Sequence, residues 1–139
     1  MDAAKKPEQF TQLLGFKREE WTDGQGRISL KVEPWHLNGS GVIHGGVLVS
    51  MLDVASGMTG LYCTQKGNRR HGVTVSLTTN FIGQASSGTI TATGRMTSRG
   101  GKLYFAYAEI HDEQGKLIAS GSGVHRFRSG SEKPEGVPK

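Results

Sequence analysis

The sequence predicts an α+β fold: an antiparallel sheet that curves around one long central helix. Three observations predict it. One amphipathic run, opening at Gly45 behind a glycine-rich turn, is long enough for a helix of many turns. Most of the remaining chain falls into segments that alternate apolar and polar residues with strand period, joined by short turn signals. A lone helix with an apolar face has only that sheet to bury it, so the sheet must wrap it.

The elements follow in order. A short N-terminal helix is expected at about 7–14. Phe16 to Trp21 and Arg27 to Glu33 read as strands around the turn Asp23-Gly24-Gln25-Gly26, and Pro34 to Ile43 is irregular. The long helix runs from about Gly45 to about Thr64, roughly 30 Å. Val47, Leu48, Met51, Val54, Ala55, Met58 and Tyr62 share its broad apolar face. Asp53 lies nearly opposite, beside Ser50, Ser56, Gly57 and Gly60. A solvated face would carry Lys, Glu and Arg, so small residues there suggest close approach of a second chain or a ligand.

A loop at Lys66 to Arg70 leads into four strands. In the first, Val73, Val75, Leu77, Thr79 and Phe81 alternate with Thr74, Ser76, Thr78 and Asn80. In the second, Ile90, Ala92, Gly94 and Met96 alternate with Thr89, Thr91, Thr93 and Arg95. Leu103 to Ile110 is nearly continuous apolar, the mark of a strand covered on both faces. Lys116 to Phe127 closes the sheet. Arg99-Gly100-Gly101-Lys102 and Asp112-Glu113-Gln114-Gly115 are hairpin turns. Residues 1–127 are expected to form a single domain, and 128–139, polar and proline-bearing, a disordered tail.

Bulk properties bound the partners. A chain of 139 residues with 35% hydrophobic content supports one thin core, which burial against a second copy would improve. Net charge is +5 and favours anionic partners. The basic residues form no run and are not interleaved with aromatics, so nucleic acid is not indicated. Cys63 is the single cysteine, which excludes an intrachain disulfide. The start, MDAAKKPEQF, lacks an apolar signal core, and no stretch approaches about 18 apolar residues. A cytoplasmic protein with no membrane partner is expected.

Chemistry concentrates at Gly41-Val42-Ile43-His44-Gly45-Gly46 and at Asp53. The first N–H groups of a helix have no intrahelical partner and carry partial positive charge. Glycine at 45 and 46 removes the side chains that would keep a ligand from them, which suits a carbonyl oxygen gaining negative charge. The same glycines also suit a tight turn. Asp53 fits a general base or nucleophile in a crevice, or a solvated surface acid. His44 fits a catalytic base, or a structural residue that fixes the turn. Thr74 and Asn38 have plain readings as a strand threonine and a turn asparagine. The five histidines show no metal-ligand spacing, so no metal is expected. Cys63, near the helix C-terminus, is poorly placed for a nucleophile, and no GxSxG elbow is present.

Together these residues resemble the hotdog-fold acyl-CoA thioesterases, in particular the phenylacetic-acid-degradation (PaaI-type) branch related to the 4-hydroxybenzoyl-CoA thioesterases. The matching pattern is His36-x-Asn38, Gly41-x-x-His44-Gly45-Gly46, Asp53 in the helix, Gly72-Val73-Thr74-Val75, Phe81-Ile82, Gly101-Lys102 and Lys116-Leu117-Ile118-Ala119-x-Gly121. It spans about Leu14 to Phe127. Gly83 departs from the proline common in the family and implies a looser loop; Ser76 stands where Glu or Asp is frequent.

The resemblance implies a dimer or a dimer of dimers with active sites shared between subunits. It implies hydrolysis of an acyl-CoA, with an aromatic acyl group favoured, and no cofactor beyond the coenzyme A of the substrate. The Gly45 N–H and the Asn38 amide would polarise the thioester carbonyl. Asp53 of the other subunit would activate water or attack, Thr74 would orient it, and His44 would serve structurally. Gly46 is a further candidate contact to substrate, and Arg95, Arg99, Lys102 and Arg126 are candidates for the coenzyme A phosphates. A non-catalytic acyl-CoA sensor on the same fold is the second reading; a hotdog dehydratase, which would require His44 and Asp53 to converge, is the third.

Overall fold

The structure is a computed structural model that describes residues 6–139. The first five residues of the expected domain lie outside the described residues. A one-and-a-half-turn helix α1 (Phe10–Leu14) precedes strands β1 (Lys17–Thr22) and β2 (Gln25–Lys31). After a 3-10 turn at Pro34–His36 comes the long helix α2 (Gly45–Gly57), continued by a 3-10 turn at Met58–Gly60. The rest is β3 (Asn68–Arg69), β4 (Gly72–Phe81), β5 (Thr89–Arg99), β6 (Leu103–His111), β7 (Leu117–Phe127) and β8 (Val137–Pro138).

Six strands form one antiparallel sheet in the order β1-β2-β5-β6-β7-β4. Helix α2 packs on one face of it. Val47, Leu48, Met51, Leu52 and Ala55 on the helix meet Ile28, Leu30, Ile90, Ala92, Ala108 and Ile110 on the strands, all buried. Each buried Val, Leu, Ile or Met among them contributes about 1.5–3 kcal/mol of transfer free energy, and each alanine less. The helix lies directly over Gly94, where any Cβ would collide with the Ala55 carbonyl. Among the described residues no helix is long and apolar enough to cross a membrane.

Several expectations are corrected. Helix α2 with its 3-10 extension stops at Gly60, not near Thr64, because its last carbonyls are captured from elsewhere. Tyr104 Oη donates to Gly57 O at 2.5 Å, Trp21 Nε1 to Met58 O at 2.7 Å and Gly24 N to Thr59 O at 2.9 Å. Part of the small-residue face of the helix is met by this chain's own sheet: a Cβ on Gly60 would sit 2.6 Å from the Tyr104 ring, and one on Gly57 3.6 Å from His125. On β6 only the inward residues Tyr104, Ala106, Ala108 and Ile110 are buried, while Leu103, Phe105 and Tyr107 are exposed on the outer face of this chain. The Gly83 loop is anchored, with Ile82 N and Gly83 N both donating to Ile118 O at 2.9 Å.

The expected disordered tail is ordered. β8 pairs with β3, inside the segment expected as a loop. Arg70 binds this tail with two guanidinium donors, Nε to Ser131 O at 2.8 Å and Nη2 to Glu132 O at 3.4 Å, while Nη1 donates to Tyr62 O at 3.1 Å. Ser131 is fully buried and its hydroxyl accepts from His71 N at 2.8 Å. Polar composition alone cannot register a tail held by a guanidinium sixty residues away.

Candidate active site

Asp53 sits two and a half turns into α2, half-buried, facing β4. Thr74 Oγ1 donates to its Oδ1 at 2.5 Å. Strand alternation alone would place Thr74 with Ser76 and Thr78 on the face away from the helix. A register shift between Thr74 and Ser76 reverses this: Thr74 pairs with the inward-facing His125, whereas Ser76 pairs with Val124. The irregularity at Val75 is what aims the hydroxyl at the carboxylate.

His125, on β7, was not distinguished from the other histidines by sequence spacing, yet it is the third member of this cluster. It is 1% exposed. Its Nδ1 lies 3.3 Å from Thr74 Oγ1 and its Nε2 3.0 Å from Ser56 Oγ, and its ring stacks on Tyr104 at 5.0 Å. Because Thr74 gives its one proton to Asp53, the hydroxyl oxygen is left to accept from an Nδ1–H of His125. Burial lowers the His125 pKa and the nearby Asp53 carboxylate opposes that. Burial also pushes Tyr104 well above its ordinary 10. Its position in phase with the inward Phe127, two residues on, is the signal that could have found His125.

The turn before α2 is built by His36, His44 and Asn38. His36 is buried and structural: its Nδ1 accepts from Glu33 N at 2.9 Å and its Nε2 meets Leu14 O at 2.7 Å. His44 caps the helix, its Nδ1 accepting from Gly46 N at 2.8 Å. That bond consumes the Gly46 N–H, so the expected role of Gly46 as a substrate donor is corrected. The Gly45 N–H has no acceptor among the described residues. A Cβ there would press on the Phe81 ring at 3.3 Å. Asn38 Oδ1 accepts from Ser40 N at 2.9 Å and Val42 N at 3.3 Å, which turns its Nδ2 outward, exposed and unused among the described residues.

Asp53, Thr74 and His125 line a groove of about 870 Å³. Its apolar lining includes Val54, Met58, Leu61 and the edge-on pair Trp21–Tyr62, whose ring centroids are 6.0 Å apart. Gly45 and Asn38 do not line it. Gly45 and Asp53 are eight residues apart on one helix, about 12 Å of rise, so one chain does not bring them to a common atom. His44 and Asp53 do not converge either. Arg95, Arg99, Lys102 and Arg126 also lie outside the groove. Arg95 and Arg126 adjoin the inward Gly94 and His125 and so face out from the sheet. Arg99 lies over the Phe127 ring at 4.7 Å and donates from Nη2 to Glu132 O at 3.0 Å.

Comparison with known proteins gives a consistent result. The sequence model of the thioesterase superfamily matches residues 40–119. Human acyl-coenzyme A thioesterase 13 is 32% identical over 122 residues, covering 86% of this chain and 85% of that protein. The medium/long-chain acyl-CoA thioesterase YigI of Escherichia coli K12 is 26% identical over 132 residues, covering 84% and 83%. Among solved structures, the E. coli PaaI protein from the phenylacetic acid degradation operon superimposes with a TM-score of 0.76 at 25% identity, covering 87% and 85%.

Proposed function

The chain belongs to the thioesterase superfamily, with its hotdog fold, and is a thioester hydrolase; from that premise we propose that it hydrolyses acyl-CoA by water activated at Asp53. The observation that carries the proposal is the Asp53 carboxylate, held at Oδ1 by Thr74, without a protein partner at Oδ2 among the described residues, and lining a groove with apolar walls. The carboxylate accepts a proton from water as the water oxygen attacks the thioester carbon. The carbonyl oxygen takes the electron pair and is met by the free Gly45 N–H and the outward Asn38 Nδ2. Collapse breaks the C–S bond, and the thiolate leaves and is protonated. A well-placed donor to that oxygen lowers the barrier by about 3–4 kcal/mol.

Gly45 and Asp53 of one chain are too far apart for this, so the proposal includes a second copy that brings its own Gly45 and Asn38 to Asp53. The edge strand β4 supports it. It has one unpaired side and no charged residue, and Val73 and Val75 are exposed on it. Edge strands that must stay solitary are protected by charge or proline. Antiparallel pairing of two β4 strands about a two-fold axis covers this edge and places Thr74 and Asp53 beside the partner. The exposed outer row of Leu103, Phe105 and Tyr107 supports a further pairing of dimers.

The groove takes an apolar acyl group. The resemblance to the PaaI branch favours an aromatic acyl; the similarity to the medium/long-chain acyl-CoA thioesterase YigI favours a medium or long chain. Thiol release from short, long and aromatic acyl-CoAs, with Asp53→Asn beside wild type, tests the proposal. Release by wild type and not by the variant supports it, and the best substrate names the acyl class. Binding without release in wild type replaces the hydrolase with a sensor.

A further inference from the structure

We propose that the cations lining the groove at Lys66 and Arg69, beyond the C-terminal end of the helix that carries Asp53, together with Arg18, form an anion subsite, which holds a phosphate or carboxylate of the substrate. This deepens the thioesterase reading and rests on it.

The charged lining of the groove is mostly cationic. Asp53 is its one acidic side chain, against the cations Arg18, Lys66, Arg69, Arg70 and Lys139. The two ion pairs among the described residues, Lys17–Glu19 and Arg27–Glu20, use none of these. Cations left unneutralised beside an apolar, low-dielectric wall focus positive potential into a cleft. The same lining includes the apolar side chains of Val54, Met58, Leu61 and Trp21, which offer a ligand no counter-charge.

The cationic lining is also braced. Arg69 pairs with Val137 in the β3–β8 ribbon. Asn68 Nδ2 donates to Glu135 O at 2.9 Å, and Thr64 N to Pro134 O at 3.0 Å. Arg70 is 5% exposed and directs its donors to neutral carbonyls of Tyr62, Ser131 and Glu132, so fixing this wall consumes no carboxylate. Arg18 lies over the Trp21 ring, 4.9 Å from its centroid. The ordered tail thus acts as the brace of a basic rim.

A neutral acyl chain gains nothing from such a rim. Two parts of an acyl-CoA carry anions that it can meet: the coenzyme A phosphates, where the thiol arm runs along the groove, and a terminal carboxylate of a dicarboxylic acyl group, where the acyl chain does. The four cations first expected at the phosphates lie outside this groove, so the subsite assigns different residues to the anion.

The test compares wild type with an Arg18→Gln/Lys66→Gln/Arg69→Gln variant, whose substituted side chains are exposed. Thiol release is measured on hexanoyl-CoA, adipoyl-CoA, hexanoyl-pantetheine and adipoyl-pantetheine, with circular dichroism as the check on folding. A fall in kcat/KM of at least roughly tenfold for both coenzyme A thioesters, with hexanoyl-pantetheine unchanged, identifies the phosphates. A fall confined to the two adipoyl substrates identifies the carboxylate. No fall on any substrate, or an equal fall on all four, overturns the subsite. Should wild type release no thiol from any thioester, the hydrolase reading is what fails. The subsite is then read by calorimetric titration with coenzyme A and with adipate: binding of either, weakened at least tenfold in the variant, supports it, and equal or absent binding overturns it.

Discussion

Thr74 and Asp53, 21 residues apart in sequence, meet at 2.5 Å through a hydroxyl-to-carboxylate hydrogen bond. The contact exists because one extra residue at Val75 interrupts the β4–β7 register. Without it, period-two alternation would send the Thr74 side chain to the far face of the sheet. The bond fixes one carboxylate oxygen and the rotamer of the acid, leaving the second oxygen without a protein partner among the described residues. Behind it, His125 and Ser56 continue the polar chain into the core.

Removing the Thr74 hydroxyl should therefore cost turnover rather than folding. Thr74→Val keeps the shape and deletes the donor at an exposed strand position. A hydrogen bond to a charged group is worth about 1.5–3 kcal/mol, so kcat should fall roughly 10- to 100-fold. Thr74→Ser should restore most of it. Steady-state thiol release, with thermal melts as the control, measures both. Equal activity in the valine variant would remove Thr74 from the site.

His125 predicts a pH dependence of stability. Its pKa is lowered in the folded chain by burial, with Asp53 opposing. The unfolded chain then binds this proton more readily than the folded one. The native state is favoured while the imidazole is neutral, and stability is lost as pH falls from the unfolded value of about 6.5 toward the lower folded one. Urea unfolding of wild type at several pH values in this window should show that loss. His125→Gln, which keeps polar atoms but cannot titrate, should show a smaller one. The same slope in both proteins would place the titration elsewhere.

Arg70 holds the tail, so its loss should release it. Arg70→Met keeps much of the apolar stem over Phe127 but deletes the three donors to backbone carbonyls. Leaving buried carbonyls unpaired costs about 1–3 kcal/mol each before water reaches them. The variant should unfold at lower urea and be cut by the Glu-specific protease Glu-C at Glu135, within the tail, well before wild type. Equal resistance at Glu135 would show that the β3–β8 pairing suffices without the guanidinium.

The fold was legible because its dominant signals are local. Alternation marked β4 and β5, a nearly continuous apolar run marked β6, and turn signals bounded β1, β2 and β7, each to within a few residues; the apolar stripe from Val47 to Ala55 marked the helix. The candidate site was legible in part: Asp53 and the Gly45 turn could be singled out, because a lone acid on a small-residue helix and an HGG turn are compact patterns, whereas Thr74 entered only through the family resemblance. What could not be read depends on partners distant in sequence. The helix ends where Trp21 and Tyr104 take its carbonyls. The tail is ordered by Arg70. The irregularity at Val75 carries no glycine to announce it, and His125 looks like any strand histidine until Thr74 lies beside it. The outward direction of Arg95 and Arg126 was readable, since each adjoins an inward-facing strand position.

The separation of Gly45 from Asp53 gives the sharpest prediction. Eight helical residues put about 12 Å between them, whereas a polarised carbonyl and its attacking water must both lie within about 3 Å of their protein partners. A site built from two chains meets that requirement, and a site within one chain does not. Asp53→Asn and Asn38→Ala, each inactive alone, should then complement one another. In a mixed dimer one site carries both substitutions and the other carries neither. Random exchange at equal concentrations makes half of the dimers mixed, each with one of two sites intact, so activity should return to about one quarter of wild type. Mass spectrometry of the intact assemblies establishes that exchange has occurred. Recovery near that fraction supports the shared site; exchange without recovery would return the chemistry to a single chain and require Gly45 to act on something other than the carbonyl that Asp53 addresses.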